Sequence, residues 1–210
     1  MVMRLNSDTV ISIAGYPLVL VPYKEIHVRC YHIWMQSPDL LALTASEPLS
    51  LEEEFQNMKS WREDDTKMTF IILDRSLGEN FMVGDVNLYL QPKTEEGKNV
   101  AEIEVMIAEP AARRKGLAKT ALKIMMAFAV EQLKTDIFIA KVLDHNKPSI
   151  ALFTTALKFE EERKVPVFGE IHYKKVVDSE VAKDLQTIRE QLVIKPFANS
   201  VYSRPPCNTK

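Results

Sequence analysis

Hydrophobic and polar positions along the chain recur with two periods, and these predict a mixture of strands and helices. A period of two, bounded by turn residues, predicts strands at residues 10–21 (two strands around an Ala14-Gly15 turn), 69–73, 82–90, 101–108, 137–143, 163–168 and 171–177. A period near 3.6 predicts helices at residues 25–35, 50–61, 117–128, 146–157 and 179–192. We expect the Ser-, Thr- and Pro-rich stretch 36–49 to be a loop and the residues after 192 to form a mobile tail.

The strand at residues 101–108 has the clearest alternation. Its odd-numbered residues from 103 to 107 are all branched and apolar, whereas Glu102 and Glu104 lie on the opposite face. The helix that follows carries apolar residues at helical spacing from Leu117 to Phe128, which predicts packing on the core. Because the next strand, 137–143, follows a helical crossover, it should lie parallel to 101–108 in a largely antiparallel sheet.

The composition fits one globular domain. At 210 residues and 46% hydrophobic, the chain is long enough for one sizeable core. We place the domain at residues 1–178, followed by a C-terminal helix and mobile polar tail at 179–210. Cys30 and Cys207 lie far apart, which argues against a structural disulfide and indicates a reducing compartment. Neither a secretory signal nor an apolar stretch of membrane-spanning length is present, so we expect no membrane partner and a cytoplasmic location, with the nucleus also open.

Three consecutive cations stand where the helix at 117–128 is expected to begin. Arg113, Arg114 and Lys115 precede it, and Lys119 extends the same basic face. A helix N-terminus carries about half a positive charge, so its first turn ordinarily prefers Asp or Glu. Cations at this position, beside free helix N–H groups and a Gly116 that permits close backbone approach, favour a phosphate-bearing ligand.

Plainer interpretations of the cationic segment stay open. A charge run beside a loop is commonly a solvated face. The formal net charge of −2 and the pI near 6.1 argue against a nucleic-acid partner. The spacing is neither that of a Walker loop nor that of a dinucleotide fingerprint. The position between a strand and a helix nevertheless favours the phosphate site.

Two motifs resemble the signatures of the GCN5-related N-acetyltransferase (GNAT) superfamily. Residues 113–118, RRKGLA, match its Arg/Gln-x-x-Gly-x-Gly/Ala loop, and residues 146–153, NKPSIALF, are similar to its Asn-x-x-Ser-x-x-x-Phe/Tyr motif. Within the superfamily the chain is similar to the N-acetyltransferase 9-like proteins. That likeness is carried by the collinear stretches LVLVPYKEIHVRCYHIWM, LTASEPLSLEEEF, VGDVNLYL and EIEVMIAEP, and it runs from about residue 18 to 175.

The resemblance implies a fold, a donor and a site. The fold would be α/β (α+β), a mixed, mostly antiparallel sheet with one splayed parallel strand pair, flanked by helices. Acetyl-coenzyme A would lie in the splay as acetyl donor, and a protein or peptide amine would be the acceptor. The cofactor-binding residues implied are Met106, Ile107, Ala108, Arg113, Arg114, Lys115, Gly116, Leu117, Ala118, Lys119, Asn146 and Phe153.

The chain departs from the family pattern at four positions. Similar family members usually have Gly where this chain has Arg114 and Ala118, and Lys158 replaces a further Gly, so the helix before it is expected to lack a left-handed cap. Phe153 replaces the tyrosine with which many members protonate the departing thiolate. A catalytically weak protein that binds acetyl-CoA therefore stays open beside the enzyme. A small-molecule amine acetyltransferase is a further alternative, which would differ in the loops 36–49 and 163–173.

Transfer to an amine needs a base, since a lysine amine has a reference pKa of about 10.4. The resemblance places a glutamate base at Glu102. Glu104 shares its face, and two close carboxylates should raise each other's pKa, although a solvated sheet face is the alternative for both. A backbone N–H near Met106 is expected to meet the oxyanion. Asp85 and Asn87 lie on a strand that could border the acceptor site, although we expect them to be polar groups at an edge or turn. The histidines have no spacing suited to a metal.

Overall fold

The computed structural model describes residues 8–198 and 200–206, and within these residues nine strands form one continuous sheet. The strands are β1 (Thr9–Ile13), β2 (Leu18–Pro22), β3 (Lys67–Asp74), β4 (Met82–Gln91), β5 (Val100–Ile107), β6 (Ile137–Leu143), β7 (Glu160–Val165), β8 (Glu170–Val176) and β9 (Leu192–Pro196). Their order across the sheet is β7-β8-β6-β5-β4-β3-β2-β1-β9. In the described chain, β5 and β6 form the one parallel pair.

Helices cover both faces of the sheet. They are α1 (Glu25–Trp34), α2 (Pro38–Thr44), α3 (Leu51–Glu63), α4 (Leu117–Phe128), α5 (Lys147–Ala151) and α6 (Ser179–Gln191). Helices α4 and α6 pack on one face, and α1 and α3 pack on the other. None of the described helices is long and apolar enough to cross a bilayer.

Two hydrophobic cores, one on each face, hold these layers together. On the α4 side the rings of Phe70 and Phe128 meet edge to face at 6.3 Å, among buried residues of β3, β4 and β5. On the other side Val28, Trp34 and Met58 pack against the opposite face of β3. Since full burial of one large apolar side chain contributes roughly 1.5–3 kcal/mol, the helices are fixed mainly by this packing.

Strands β5 and β6 separate after a short parallel pairing. Val100 to Glu102 pair with Ile137 to Ile139, and beyond that register β5 continues along β4 while β6 continues along β8. The alternation predicted for β5 is confirmed, because Ile103, Val105 and Ile107 belong to the α4 core and Met106 to the opposite one. The mixed sheet with one splayed parallel pair is therefore confirmed.

A capping box at Ser50 and Glu53 begins α3, since each residue's side chain accepts the other's backbone N–H. The prediction of a loop throughout 36–49 was wrong, because residues 38–44 form α2. Pro38 occupies the first turn of α2, and the helix ends at Ala45, whose φ of 50° is left-handed. A seven-residue helix is too short for its apolar period to stand out.

Three expectations for the C-terminal half need correction. The mobile tail predicted after residue 192 was wrong for residues 193–196, which belong to β9 and pair with β1. The strand predicted at 163–168 is β7 at 160–165, followed by a 3-10 turn that begins at Pro166. The expected missing cap was also wrong, because Lys158 itself takes the left-handed conformation, with φ 59°. Cys207 lies outside the described residues.

Candidate active site

A cavity of about 410 Å³ opens where β5 and β6 separate. Its floor is the face of β4 and β5 on the side of α1 and α3. Residues 43–46, at the C-terminal end of α2 and just after it, form one rim. Lys141, Asn146 and Phe153 contribute the opposite wall from β6 and α5. The divergence of β5 and β6 thus places a large cavity in the middle of the sheet.

Polar side chains stand side by side on this floor. The strand register aligns Lys67, Tyr89 and Glu102 in one row across β3, β4 and β5, and Thr69, Asn87 and Glu104 in the next. Asp85 lies in the following row, opposite Met106. Alternate residues of a strand share a face, so all these side chains point to the same side of the sheet. Buried polar groups are costly in the centre of a sheet, and their concentration here marks a functional site.

The burial of Asp85 at the site was not predicted from the sequence. It was expected at an edge or turn, with a place beside the acceptor site as the alternative, but it lies on the central strand β4 and is 2% exposed. Its Oδ2 accepts a hydrogen bond of 2.6 Å from Asn87 Nδ2, and Asn87 Oδ1 in turn accepts one of 2.7 Å from Thr69 Oγ1. Asp85 Oδ1 is buried without a hydrogen-bond partner among the described residues. One carboxylate oxygen is fixed, and the other is available to a proton.

The surroundings of Asp85 make it a base suited to neutral pH. Burial, opposed by the Asn87 hydrogen bond, raises the pKa of Asp85 to about 7. Burial, followed by the nearby charge of Glu102, also raises the pKa of Glu104. Groups that titrate near the operating pH are the efficient acids and bases of active sites.

Glu102 has a different environment from the other two carboxylates. Its Oε2 lies 2.7 Å from Lys141 Nζ and 3.3 Å from Gln91 Nε2. This ion pair crosses from β5 to β6 just past their last paired residues, so it ties the two strands where they begin to separate. The sequence paired Glu102 with Glu104 as catalytic candidates, and the structure does bring both to the cavity. The role of Glu102 as a base stays a prediction.

Lys67 supplies a positive charge beside the acidic residues of the floor. It is 4% exposed, and its Nζ lies 3.0 Å from the ring centroid of Trp61 and 4.8 Å from that of Tyr89. Burial lowers the pKa of Lys67 to about 8, while the charges of Glu104 and Asp85 oppose that shift. A buried ammonium held between two rings is stabilised by cation–π attraction.

The cationic loop lies beyond the end of β5, at the start of α4. Gly116 is the N-cap of α4, with φ 79°, and no side chain caps the helix. A Cβ at Gly116 would meet nothing within 4 Å, so the space above the first turn is open. Arg113, Arg114, Lys115 and Lys119 are exposed, whereas Leu117 is buried and anchors the helix. Uncapped N–H groups beside exposed cations fit a pyrophosphate.

Arg113 holds the loop against β5 by its side chain. Its Nε donates to the Ile107 carbonyl and its Nη2 to the Ala108 carbonyl, both at 3.0 Å. Arg114 takes a left-handed conformation with φ 63°, the geometry that glycine adopts at least cost. The structure therefore accounts for the departure from the family pattern at position 114: the backbone keeps the glycine-like conformation and the side chain adds charge.

The open edge of β5 offers backbone groups to the cavity. Ala108 N–H donates to Val83 O at 2.9 Å, toward β4. Hydrogen-bonding directions alternate along a strand, so the N–H groups of Val105 and Ile107 point to the edge that β6 leaves. Of the three residues predicted to pair with the cofactor, Ile107 faces this open edge. Met106 and Ala108 face β4 instead, and Ala108 is engaged within the protein through both its N–H and its carbonyl. Val105, which the sequence did not single out, faces the open edge with Ile107.

Asn146 and Phe153 lie at the two ends of α5, Asn146 as its N-cap and Phe153 in the helical turn Leu152–Ala156 that follows it. Asn146 Oδ1 accepts from Ser149 N–H and caps α5, while its Nδ2 donates to Leu43 O at 3.3 Å. This second bond links α5 to α2 across the rim of the cavity. Phe153 is buried edge to face against Phe159 at 5.2 Å and presents no hydroxyl.

In the described residues, no cluster of three or more His, Cys, Asp or Glu side chains could hold a metal ion.

Comparison with known proteins assigns this architecture. The profile of the Acetyltransferase (GNAT) domain family matches residues 18–156. The chain belongs to the GNAT family. An N-acetyltransferase 9-like protein of Dictyostelium discoideum is 45% identical over 186 residues, covering 80% of this chain and 85% of that protein. The human alpha/beta-tubulin-N-acetyltransferase 9 is 41% identical over 214 residues, covering 98% of this chain and 100% of that protein.

Solved structures share the fold of this GNAT protein. Spermidine N-acetyltransferase from Vibrio cholerae, in complex with CoA and spermine, has a TM-score of 0.63 at 18% identity and covers 76% of this chain and 95% of its own. A ribosomal L7/L12 alpha-N-protein acetyltransferase has a TM-score of 0.65 at 17% identity, over 80% and 93% of the two chains.

The family membership establishes the reaction. The chain is an N-acetyltransferase with acetyl-CoA as acetyl donor. Residues 113–118 and the open edge of β5 fit the donor's pyrophosphate and pantetheine arm, and the donor supplies the acetyl thioester. An acceptor amine then has to approach from the cavity, where the acidic floor lies.

Proposed function

We propose that this GNAT protein acetylates an amine of a protein acceptor, with α- or β-tubulin as the first candidate, and that Asp85 is the general base. The observation that carries the base assignment is the buried carboxylate of Asp85 on the cavity floor, with one oxygen fixed and the other unpartnered. The acceptor is proposed from relatives such as the human protein, whose name specifies α/β-tubulin.

The rim of the cavity supports a polypeptide acceptor. The β7–β8 turn exposes Val167 (82%) and Phe168 (69%), and Leu43 is 37% exposed on the α2 rim. The turn lies against the loop that follows β6, since Asp144 N–H donates to Gly169 O at 2.8 Å. Exposed apolar side chains on both sides of an acidic cavity suit a chain whose cationic end group enters the cavity while its neighbouring residues lie on the rim.

Asp85 would work as follows. An acceptor amine is protonated near neutral pH and must lose a proton before it attacks the thioester. Asp85 Oδ1 accepts that proton, and a carboxylate with a pKa of about 7 can do so without holding it too tightly. The N–H groups at the open edge of β5 are the donors for the oxyanion. A thiol of pKa about 8.5 is a fair leaving group, so Phe153 need not be an acid.

Glu102 is proposed to position the strands rather than to take the proton. Its carboxylate is already paired with Lys141, and that pair fixes the width of the cavity at its closed end. Glu104 accepts a hydrogen bond from Tyr89 and shares the floor with Asp85, so we propose that it attracts the acceptor's ammonium. The acidic floor thus binds the cationic acceptor and deprotonates it with different side chains.

The test compares three substitutions with acetyl-CoA and peptides from the α- and β-tubulin N-termini and their lysine-containing segments. Asp85→Asn should lower kcat by about 100-fold or more, the usual share of a general base. Glu102→Gln should lower it less and with a loss of stability, and Glu104→Gln should chiefly raise the acceptor KM. Equal activity of Asp85→Asn and the wild type would reject the base assignment. Acetylation of free polyamines alone would instead favour the small-molecule acceptor.

The weak-binder alternative predicts a distinct outcome in the same assay. Thermal unfolding with acetyl-CoA at a hundredfold its Kd should show about 2.7 kcal/mol of stabilisation under either hypothesis. A stabilised protein that acetylates no tubulin segment or other acceptor would support the weak binder. We also propose a cytoplasmic location, which imaging of a tagged chain would test directly.

A further inference from the structure

Three buried oxygen atoms, one on the cavity floor and two behind it, lack hydrogen-bond partners among the described residues. They are Asp85 Oδ1, the Tyr23 hydroxyl and Glu54 Oε2. Buried polar atoms are almost always hydrogen-bonded to protein or to ordered water, because an unpaired one loses its hydration without compensation. Three such atoms in one region therefore call for an explanation.

The three residues form a path that leads away from the cavity. Tyr23 lies behind the cavity wall, with its ring 5.1 Å from that of Tyr31 and 6.0 Å from that of Trp61, both of which line the cavity. Burial, followed by the charges of Glu54 and Asp85, raises the pKa of Tyr23. Tyr23 belongs to the core on the α1 and α3 face of the sheet, the face to which Asp85 points, and Glu54 is a buried residue of α3 on that face.

Glu54 ends the path close to the protein surface. It is 2% exposed and belongs to the first turn of α3, where its neighbours Glu52 and Glu53 are exposed. Burial raises the pKa of Glu54, which favours the protonated form of its carboxyl relative to an exposed glutamate.

We propose that Asp85, Tyr23 and Glu54, bridged by ordered water, form a relay that conducts the acceptor's proton from the cavity to solvent at the start of α3. This proposal rests on Asp85 as the base. Water that bridges polar groups is enthalpically close to a direct hydrogen bond, and it would satisfy all three oxygens at once.

The relay moves one proton for each acetyl group transferred. The N–H bond of the acceptor ammonium breaks, and the proton binds Asp85 Oδ1. Asp85 passes it through water to the Tyr23 oxygen while the proton of Tyr23 moves toward Glu54 Oε2. Glu54 releases a proton to solvent, and each group returns to its starting state. No electron is transferred, and no co-reactant other than water is required.

Two variants test the relay by kinetics. Tyr23→Phe and Glu54→Gln keep size and packing but interrupt proton transfer, so each should lower kcat by about tenfold, a modest fraction of a general base's effect. Imidazole at increasing concentration should restore much of the lost rate, because a diffusing base can replace a missing relay group. Glu52→Gln is the matched control, because Glu52 lies two residues before Glu54 and is exposed. This variant should behave as the wild type. Unchanged kcat in both relay variants, or a loss that imidazole does not restore, would overturn the proposal.

A high-resolution crystal structure tests the relay without turnover. Ordered water should bridge the three oxygens in the wild type and be displaced or rearranged in Tyr23→Phe. Dry packing between these residues would reject the relay even in a fully active enzyme. If Asp85→Asn kept full activity while bridging water was present and Tyr23→Phe remained slow, the base assignment would fall and the relay would start from another carboxylate of the floor.

Discussion

An ideal Cβ built on Gly84 would lie 1.9 Å from the carbonyl oxygen of Met106. Strands β4 and β5 approach so closely here that only glycine fits, one residue before Asp85 and next to the bulge at which the β3–β4 register shifts. Bulges of this kind re-aim neighbouring side chains. The close contact therefore helps to set both the direction of Asp85 and the course of β5 toward the cationic loop.

We predict that Gly84→Ala displaces the end of β5. The substitution should cost about 1–3 kcal/mol through overpacking and weaken acetyl-CoA binding at the same time. Thermal unfolding and calorimetric titration with acetyl-CoA measure the two effects. Gly97→Ala is the control, because Gly97 lies in a distant turn with φ +77° and open space around it. It should lose roughly 1–2 kcal/mol from backbone strain and keep its acetyl-CoA affinity. Similar affinity losses in both variants would contradict this role of Gly84.

We predict that the raised pKa of Asp85 lowers the stability of the wild type above about pH 4. An unfolded aspartate has a pKa near 3.9, and the folded value is about 7. The folded state therefore binds more protons between these values, and its stability falls as the pH rises from about 4 to 7. Three pKa units correspond to about 4 kcal/mol at most.

Asp85→Asn should remove this dependence. The variant should be more stable than the wild type at pH 8 and nearly equal to it at pH 4, as denaturant unfolding at the two pH values would show. Asp65→Asn, at an exposed position before β3, should show no such difference. A variant less stable than the wild type at pH 8 would mean that Asp85 is not destabilised by its burial.

We predict that Arg114→Gly stabilises the protein by roughly 1 kcal/mol, since Arg114 has a φ of 63° and glycine avoids that strain. Arg114→Ala keeps the strain and removes the charge, so the pair separates backbone from electrostatic effects on acetyl-CoA affinity. Lys158→Gly, at φ 59° far from the loop, should give a similar stabilisation without changing affinity. Equal stability of Arg114→Gly and Arg114→Ala would show that the strain is unimportant.

The residues predicted to bind the cofactor come from patterns within one stretch of chain, whereas the proposed acceptor site depends on contacts distant in sequence. The alternation of β5 and the cations before Gly116 lie within about twenty residues, so their proximity could be inferred from one stretch of chain. Asp85 is buried because β4 is a central strand and α1 covers it, which no local pattern reveals. The pairing of β9 with β1 joins residues 179 to 187 positions apart, and it escaped prediction for the same reason. Strict alternation of Asp85, Asn87 and Tyr89 was the signal that could have identified the polar floor.

We predict that Arg113→Lys destabilises the protein and weakens acetyl-CoA binding. Arg113 donates two hydrogen bonds to successive carbonyls at the end of β5, a geometry that a lysine ammonium does not reproduce. Each bond from a charged donor contributes about 1.5–3 kcal/mol, so a loss of that order is expected in unfolding experiments. Lys115→Arg, at an exposed position of the same loop, should leave stability unchanged. A stable Arg113→Lys variant with reduced affinity would instead indicate direct contact between Arg113 and the phosphates.

We predict that Asn146→Asp separates acceptor binding from acetyl-CoA binding. An aspartate can still accept from Ser149 N–H and cap α5, but it cannot donate to Leu43 O, and two oxygens would then face each other. Helix α2 should loosen at the cavity rim, so hydrogen exchange of residues 38–46 should accelerate and the KM for a protein acceptor should rise several-fold, while the Kd for acetyl-CoA stays within about twofold. Asn146→Ala removes both bonds and should also weaken α5. If Asn146→Asp lost acetyl-CoA affinity as strongly as acceptor affinity, Asn146 would act mainly on the cofactor, as its family motif implies, and the link to α2 would be secondary.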